Sequence, residues 1–461
     1  MSTTRRLFAV LLAGALVLAA CGGDDDDGGS AEGEGNVDDG STINVPDDHD
    51  TIQAAVDAAE PGDLILIQPG TYEESVSVTT DELTIRGVDR NEVVLDGGFE
   101  LDNGIRVTGA SGVAIENMTA RNYTKNGFFW TGVEGYRASY LTTYRIGDYG
   151  IYAFDSVQGL IEHTYTSGSP DAGVYIGQCY PCDAVIDDVV SEYNGLGYSG
   201  TNSGGNLLIV NSTFRFNRAG IVPNSGSYEL CYPERKTTIV GNLVYSNNQA
   251  DSPAIDVALL GMGNGILPAG GVGNIIERNR IYDHDLTGIG LVPFPEEDAN
   301  DVVPPVSDDD QPCSEAKGEP TADPATIPDT VLWNPRDNRI VGNVIEDSGL
   351  ADIGLGSLED VSGLGNCFAD NEYSSTAPSD LEALAPCEGE GSGGDWTAGA
   401  LDLGQFLAEK PPSGDYKKAP VPDDQENMPD AEDAPARPAT DVPAEIDVDS
   451  IEVPDRPSEA S

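Results

Sequence analysis

The sequence predicts an all-β fold: a right-handed single-stranded parallel β-helix solenoid with a short capping helix and disordered acidic termini. Three observations predict it. A glycine followed by a short apolar segment recurs at a nearly constant interval, the segments are rich in β-branched residues, and a polar residue, often Asn, ends the second segment of many repeats. A chain of this period can turn once per repeat and stack its coils about 4.8 Å apart.

The interval is set by eight glycines in phase. Successive starts are separated by 23, 23, 23, 24 and 23 residues and, after an insertion, by 23 again. The glycines are Gly104, Gly127, Gly150, Gly173, Gly197, Gly220, Gly265 and Gly288. A helical solenoid would show helical spacing of its apolar residues, and a β-sandwich would not hold so constant an interval. Asn side chains at equal positions can form ladders down the stack.

The N-terminus predicts export. Arg5 and Arg6 precede an apolar run that ends at Ala20 and is too short to span a bilayer, so residues 1–20 are predicted to be a signal peptide. Leu18-Ala19-Ala20-Cys21 resembles a bacterial lipobox, which implies that Cys21 is acylated and anchors the protein to the outer face of the cell membrane or cell surface. An ordinary signal peptide with an incidental cysteine is the alternative. Residues 21–42 are predicted to be an acidic Gly/Asp linker.

Charge excludes some partners. The chain has 23 basic and 80 acidic side chains, a formal net charge of −57. Such a field repels nucleic acid and anionic lipid. It also disfavours a polyanionic polysaccharide unless cations or a basic patch intervene. We expect a monomer.

The chain has seven cysteines. Without the predicted acylated Cys21, six remain, an even number that can pair as disulfides in an oxidising compartment. Cys179 and Cys182 form a C-x-x-C, and Cys367 and Cys387 bracket a short loop; Cys231 and Cys313 remain. Structural disulfides are favoured over a redox motif or a zinc site, because no βαβ context and no second metal-ligand pair accompany the C-x-x-C. The pairing stays open.

The β-helix is predicted over residues 43–410. Residues 51–78, TIQAAVDAAEPGDLILIQPGTYEESVSV, contain a helical segment for which Asp50 is the expected N-cap. This opening resembles the pectin lyase-like β-helix families, in which a short helix caps the solenoid. Residues 294–330 are predicted to be an acidic, Pro-rich inserted loop, residues 394–410 a second capping helix, and residues 411–461 a disordered acidic, Pro-rich tail.

Alternation along the first strand of each coil predicts a binding surface. The second residue after each glycine should face outward, which places Arg106, Phe129, Tyr152 and Tyr175 in one exposed column. Aromatic faces of this kind stack on sugar rings. The alternative is an outer stack that stabilises the sheet or lies under a loop.

The same coils carry candidate catalytic side chains. Arg137, Tyr144, Arg145 and His163 are candidate bases or carboxylate-neutralising groups, and Asp155, Asp187 and Asp188 are candidate acids or cation ligands. The family resemblance implies a polysaccharide lyase, uronate epimerase or glycoside hydrolase, but the paired Asp-Asp, Gly-His-Gly and Arg-Ile-Lys motifs of polygalacturonases and the Asp-Pro-His of alginate epimerases are absent. Whether the protein is an enzyme stays open. The cluster Asp283-His284-Asp285 is interpreted as solvated turn residues.

The predicted function is that of an exported, lipid-anchored β-helix protein whose coils 104–195 bind, and in one version modify, an extracellular polysaccharide. A non-catalytic surface scaffold or adhesin is the first alternative. An accessory protein of copper-reductase maturation is the second, disfavoured by only four Met and three His. The sequence predicts no certain cofactor; Ca²⁺ at carboxylate-rich turns is the one candidate, and the metal ligands are unknown.

Overall fold

The computed structural model describes residues 40–297, 312–313, 330–441, 443 and 445–457. The predicted signal peptide, Cys21 and residues 22–39 of the predicted linker lie outside the described residues. No helix in the described ranges is long and apolar enough to cross a bilayer.

The chain forms the predicted right-handed parallel β-helix. Each coil contributes one strand to each of three long faces, here named sheets A, B and C, and strands of neighbouring coils pair in parallel. A glycine-led strand lies on sheet C, and the chain then turns to sheet A and to sheet B before it rises to the next coil. The core fills the space between the three faces.

Sheet A is the longest face, and within the described residues it contains twelve strands. They are Thr42–Val45, Leu64–Ile67, Thr84–Gly87, Val113–Glu116, Glu134–Ser139, Val157–Glu162, Ala184–Asp187, Gly204–Val210, Arg235–Val240, Ile275–Glu277, Arg339–Val341 and Cys367–Ala369.

Sheet B has ten strands in the described part of the chain. They are Gly70–Tyr72, Val93–Asp96, Thr119–Arg121, Thr142–Tyr144, Tyr165–Ser167, Val190–Glu192, Thr213–Arg215, Leu243–Tyr245, Arg280–His284 and Val344–Ser348.

Sheet C consists of two runs of strands joined through single bridges at Ile266, which pairs with Ile221 on one side and with Ile289 on the other. Its strands are Val76–Val78, Asn103–Thr108, Asn126–Thr131, Tyr149–Phe154, Ala172–Gly177, Leu196–Thr201 and Ala219–Asn224, then Thr287–Leu291, Ala351–Leu355 and Thr376–Ala377.

The inward positions of sheet C are as predicted. The residue after each glycine packs in the core, and each of these side chains is 0% exposed. They are Ile105, Phe128, Ile151, Val174, Tyr198 and Ile221. Because this column is unbroken, the next residue along each strand must point away from the core.

Asn ladders hold the interior of the turns, as the repeated polar positions predicted. Asn217 Nδ2 donates to Asn247 Oδ1 at 3.0 Å, and Asn247 Nδ2 lies 3.2 Å from His284 Nε2. His284 is only 2% exposed, so the interpretation of His284 as a solvated turn residue is wrong. It occupies the next rung of the ladder, because Asn247 and His284 each lie two residues beyond the paired Tyr245 and Tyr282. Burial lowers its pKa from 6.5 to about 3.

Short helices close the ends. The first, Ile52–Ala58, is capped by Thr51, whose Oγ1 accepts from the Ala54 backbone N–H at 3.1 Å, and not by Asp50 as predicted. At the other end, Leu381–Leu384 packs on the last coil, whereas the predicted helix over 394–410 is reduced to a single 3₁₀ turn, Leu403–Gln405. Gly399, which has a positive φ of 64°, interrupts this segment. The remaining helical segments are Asp256–Gly261, Val361–Gly363, Tyr416–Lys418 and Val448–Ser450.

The inserted loop begins and ends in an antiparallel ribbon, Phe294–Glu297 with Thr330–Trp333. Apart from Pro312 and Cys313, residues 298–329 lie outside the described residues. The described residues contain three disulfides, Cys179–Cys182, Cys231–Cys313 and Cys367–Cys387. Cys313 therefore ties the insertion to residues 225–234, named here the covering loop.

The C-terminal segment differs from the expectation of a disordered tail. In the described residues, 411–441, 443 and 445–457 lie along the coils as an extended strap held by arginines of the β-helix. The strap carbonyls that accept from these arginines are Pro411, Pro412, Ala419, Glu426, Ala431, Ala434, Pro435, Arg437, Val448, Ile451 and Pro454. An extended Pro-rich chain leaves its carbonyls without internal partners, so they are free to accept.

Candidate functional site

An aromatic column lies on the outer surface of sheet C, as predicted. Strand register places Arg106, Phe129, Tyr152 and Tyr175 on successive rungs. The Arg106 guanidinium carbon is 5.3 Å from the Phe129 ring centroid, and the Phe129 and Tyr152 rings stack with centroids 4.7 Å apart. Tyr152 and Tyr175 meet edge to face at 4.9 Å. Arg106 is exposed, and Phe129 and Tyr152 are half-buried.

Tyr149 widens this surface. It precedes Gly150 in the strand Tyr149–Phe154, and its ring stacks on Tyr152 with a centroid distance of 4.3 Å and an interplanar angle of 5°. It also approaches Tyr175 at 5.0 Å. Three tyrosines therefore form one contiguous patch beside Phe129.

Tyr175 is outward-facing but not exposed. It is 1% exposed because the covering loop, from two coils further along, lies over it. Asn202 fixes the base of this loop: its Nδ2 donates to the carbonyls of Gly226 at 2.6 Å and Glu229 at 2.7 Å. The prediction of an exposed column thus holds for Arg106, holds in part for the half-buried Phe129 and Tyr152, and is wrong for Tyr175.

Two carboxyl groups border the tyrosine patch. The Tyr175 hydroxyl donates to Glu229, at 2.6 Å from Oε1 and 2.7 Å from Oε2. Burial raises the pKa of Glu229 from 4.5 to about 8 against the opposing effect of this hydrogen bond. Burial likewise raises the pKa of Asp171 from 3.8 to about 7, and the Tyr149 hydroxyl, which hydrogen-bonds to it, moderates the shift. The negative charge of Asp171 raises the pKa of Glu229 further.

Sequence reasoning missed both carboxyls, although one of them carried a signal. Asp171 lies two residues before Gly173, in phase with Asp102, Lys125 and Asp148, so the repeat places it at the edge of sheet C. Lys125 Nζ pairs with Asp102 Oδ2 at 3.1 Å, and burial raises the pKa of Asp148. Glu229 carried no such signal, because its loop interrupts the repeat.

The predicted catalytic side chains do not converge on this patch. Arg137 is on sheet A and is 4% exposed, with its Nη2 2.6 Å from Glu116 Oε1. Arg86 Nε approaches Glu116 Oε2 at 2.8 Å, which completes a buried Arg–Glu–Arg triad. Both arginines also donate to strap carbonyls. In this position Arg137 holds the strap.

Tyr144 and Arg145 lie on another face. Tyr144, at the end of a sheet B strand, is buried, and its hydroxyl accepts from Arg121 Nη1 at 3.0 Å. Arg145, in the following turn, donates from Nε to the strap carbonyl of Ala419 at 2.8 Å. Their side chains are engaged in packing contacts away from sheet C.

His163 and Asp188 meet at the turn from sheet A to sheet B, where both have a positive φ of 48° and 51°. His163 Nδ1 lies 2.6 Å from Asp188 Oδ2, and the imidazole stacks near Tyr140 at 4.5 Å. Asp187 accepts from Asn211 Nδ2 at 2.9 Å. Asp155 lies at the other corner, between sheets C and A, with a φ of 52°.

Two cavities flank the described surfaces. One, of about 260 Å³, lies on sheet A under the strap and is lined in part by Arg137, Glu162 and Asp187. The other, of about 200 Å³, continues the face of sheet C beyond Asn224 and is almost wholly apolar, with Val222, Leu267 and Phe406 among its walls. Asn224 Oδ1, which accepts from the Tyr228 hydroxyl at 2.7 Å, connects it to the covering loop.

Nothing in the described part of the chain groups three or more His, Cys, Asp or Glu side chains in a way that could hold a metal ion. The Ca²⁺ expectation therefore has no ligand set among these residues.

Residues 103–292 match a protein-family model described as right handed beta helix region. This stretch of the chain is a right-handed β-helix. No curated protein matches the sequence. Among solved structures, the A-module of a mannuronan C-5 epimerase from Azotobacter vinelandii is 15% identical over 75% of this chain and 94% of its own, with a TM-score of 0.43.

Two further solved β-helices are similar to this chain at equally low sequence identity. An alginate lyase from Paenibacillus sp. is 17% identical over 54% of this chain and 90% of its own, with a TM-score of 0.38. The pectate lyase Pel9A is 13% identical over 82% of this chain and 84% of its own, with a TM-score of 0.41. At such identities the likeness to the β-helix of this chain concerns the fold alone.

Proposed function

We propose that this protein binds an extracellular polysaccharide on sheet C, through Arg106, Phe129, Tyr152 and Tyr149. The observation that carries the proposal is the half-exposed stack of Phe129 and Tyr152, continuous with Tyr149 and bordered by hydrogen-bonding groups. Flat rings on successive rungs, about 4.8 Å apart, present apolar faces to sugar rings, while the bordering groups meet hydroxyls.

Binding is a better account than sheet stabilisation alone. A second aromatic stack, Tyr193 with Phe216 at 5.5 Å, lies in the turns between sheets B and C. There Arg215 lies over the Phe216 ring at 5.4 Å and pairs with Glu192, so the polar groups around this stack satisfy one another. Beside Tyr149 and Tyr175, by contrast, the two buried carboxyls accept from tyrosine hydroxyls and have no ion-pair partner among the described residues, so no opposite charge offsets the cost of burying their charge.

The setting we propose is the cell surface. Three disulfides in the described residues favour an oxidising compartment. The signal-like segment and Cys21 add the proposal of a lipid anchor, which would hold the β-helix on the outer face of the membrane.

The test is a binding titration of the full chain against neutral, uronate and amino-sugar oligosaccharides, with a Phe129→Ala/Tyr152→Ala variant alongside. We expect the variant to lose at least tenfold in affinity, since an aromatic side chain that stacks on a nucleobase contributes about 1–3 kcal/mol and we expect a comparable contribution for a sugar ring.

Tyr193→Ala/Phe216→Ala is the matched control, because it removes a similar aromatic stack from the next two coils, away from sheet C. It should bind as the parent does. Equal loss in both variants, or no binding of any oligosaccharide by the folded parent, would overturn the proposal and leave a surface scaffold as the better account.

A further inference from the structure

We infer that the sheet C site selects glycans that carry free amino groups, with the sugar ammonium placed at the faces of the tyrosine rings, beside the carboxyl groups of Asp171 and Glu229. This inference rests on the proposed function and specifies its ligand class.

The two carboxyls lie at the edge of the tyrosine patch. Each is held at the edge of the patch by a tyrosine of that patch: Glu229 by the Tyr175 hydroxyl at 2.6 Å, and Asp171 by the Tyr149 hydroxyl. Because the Tyr149 and Tyr175 rings are 5.0 Å apart, both acids border the same set of rings. Asp171 comes from the strand edge and Glu229 from the covering loop, so the patch is acidic on two sides.

Within the described part of the chain, the two acids have no positively charged side chain beside them. Among the described residues, no lysine or arginine contributes to the electrostatic surroundings of Asp171 or Glu229. The other charged groups nearby are Asp148, which raises the pKa of Asp171, and Lys125, which is paired with Asp102 and acts on Asp148. A desolvated acid pair without a cation is stabilised by any cation that enters.

The surroundings of the two acids suit an ammonium group better than a metal ion. Ca²⁺ and Mg²⁺ require six or more oxygen ligands, and the described residues provide no group of three metal-ligating side chains. An ammonium group needs fewer oxygens and is attracted to the faces of aromatic rings as well. Tyr149 and Tyr152 provide those faces within one rung of the acids, and Phe129 adds a further face on the next rung.

The alternative ligand class, a polyuronate, fits poorly. Its carboxylates would approach Asp148, Asp171 and Glu229, and the chain as a whole carries a net charge of −57. Arg106, the one cation of the column, lies at its far end over Phe129 and three rungs away from Tyr175.

The experiment is isothermal titration calorimetry of the full chain with a glucosamine hexamer and an N-acetylglucosamine hexamer, at pH 5.5, where the sugar amines are already protonated, in buffers of different ionisation enthalpy. We expect at least tenfold tighter binding of the glucosamine hexamer, with net proton release as the entering ammonium converts Asp171 and Glu229 to carboxylates. Asp171→Asn/Glu229→Gln should abolish both the preference and the proton release.

Two controls separate this site from general attraction to an acidic protein. Asp187→Asn/Asp188→Asn removes the same number of carboxyl groups from the sheet A side and should leave the preference unchanged. Spermine carries ammonium groups without sugar rings and should bind at least tenfold more weakly than the glucosamine hexamer. Equal binding of spermine, or loss of the preference in the Asp187/Asp188 variant, would overturn the inference.

The failures of the two proposals are distinguishable. If the N-acetylated hexamer or a uronate hexamer binds as tightly as glucosamine, and Phe129→Ala/Tyr152→Ala abolishes this binding, the inference is wrong and the polysaccharide proposal stands. If no hexamer binds to the folded chain, both are wrong.

Discussion

Tyr175 and Glu229 are joined across two coils of the solenoid by a hydroxyl-to-carboxylate hydrogen bond of 2.6 Å. Tyr175 belongs to the repeating strands and Glu229 to a loop that interrupts the repeat. The bond therefore connects the periodic part of the molecule to its irregular part, at the point where the aromatic column becomes covered.

Replacing Tyr175 with Phe tests this connection. The hydrogen bond lowers the pKa of Glu229, so its loss should raise that pKa above about 8. The titration can be followed by the ¹³C chemical shift of the Glu229 carboxyl. Tyr198→Phe, at a buried tyrosine of the neighbouring coil, should leave the midpoint unchanged. A midpoint that does not move in Tyr175→Phe would show that the hydroxyl does not stabilise the carboxylate.

Glu229 also makes stability depend on pH. Its pKa is about 8 in the fold against 4.5 as a free side chain, so the folded state binds the proton more tightly. The stability that it contributes is complete below about pH 4.5 and is lost as pH rises through about 8. We expect Glu229→Gln to reduce the loss of unfolding free energy between pH 5 and 8.5, measured by urea denaturation. Glu134→Gln, at an exposed position, should follow the parent curve; the same curve for Glu229→Gln would contradict the prediction.

The solenoid itself was predictable from sequence because the same pattern of buried and outward-facing residues repeats in every coil. A core of Ile105, Phe128 and Ile151 in register dictates that Arg106, Phe129 and Tyr152 point outward, and the structure confirms this alternation. Asn247 was foreseen as a rung of a ladder for the same reason.

The contacts made by the covering loop and the strap, which do not follow the repeat, could not be predicted from its spacing. Glu229 lies on a loop without phase, so nothing in the spacing connects it with Tyr175. Arg137 has the outward phase of sheet A and looks like an exposed cation until the strap covers it. The strap in turn has too few apolar residues to predict packing, and its order comes from backbone carbonyls that any sequence possesses.

Glu116 should be the most sensitive charged residue of sheet A. It is 1% exposed and pairs with both Arg86 and Arg137, which also hold the strap. Glu116→Gln leaves two buried guanidinium groups without their counterion, so we expect a loss of about 3–5 kcal/mol in unfolding free energy. Faster protease cleavage of the strap near residues 431–437 should accompany it.

Glu346→Gln provides the comparison for that loss. Glu346 pairs with Arg456 at 3.3 Å, and both side chains are nearly half exposed. Exposed pairs of this kind contribute about 0–1 kcal/mol. Equal destabilisation by the two substitutions would mean that the buried triad has no special importance for the fold.

Protonation of His284 should be a main cause of the loss of β-helix stability at low pH. It occupies an Asn rung, with Nε2 3.2 Å from Asn247 Nδ2, and within the described residues its Nδ1 has no hydrogen-bond partner. Its pKa is about 3 in the fold against 6.5 when free, so the unfolded chain binds the proton more tightly between these values. Stability is therefore retained above about pH 6.5 and lost as pH falls toward 3. His284→Asn replaces the imidazole with the residue that occupies the earlier rungs and removes the titration, so unfolding free energy between pH 6.5 and 4 should decline less than in the parent. His163→Asn, at a half-exposed turn position, controls for the loss of a histidine as such. A decline as steep in His284→Asn as in the parent would assign the loss of stability at low pH to other groups.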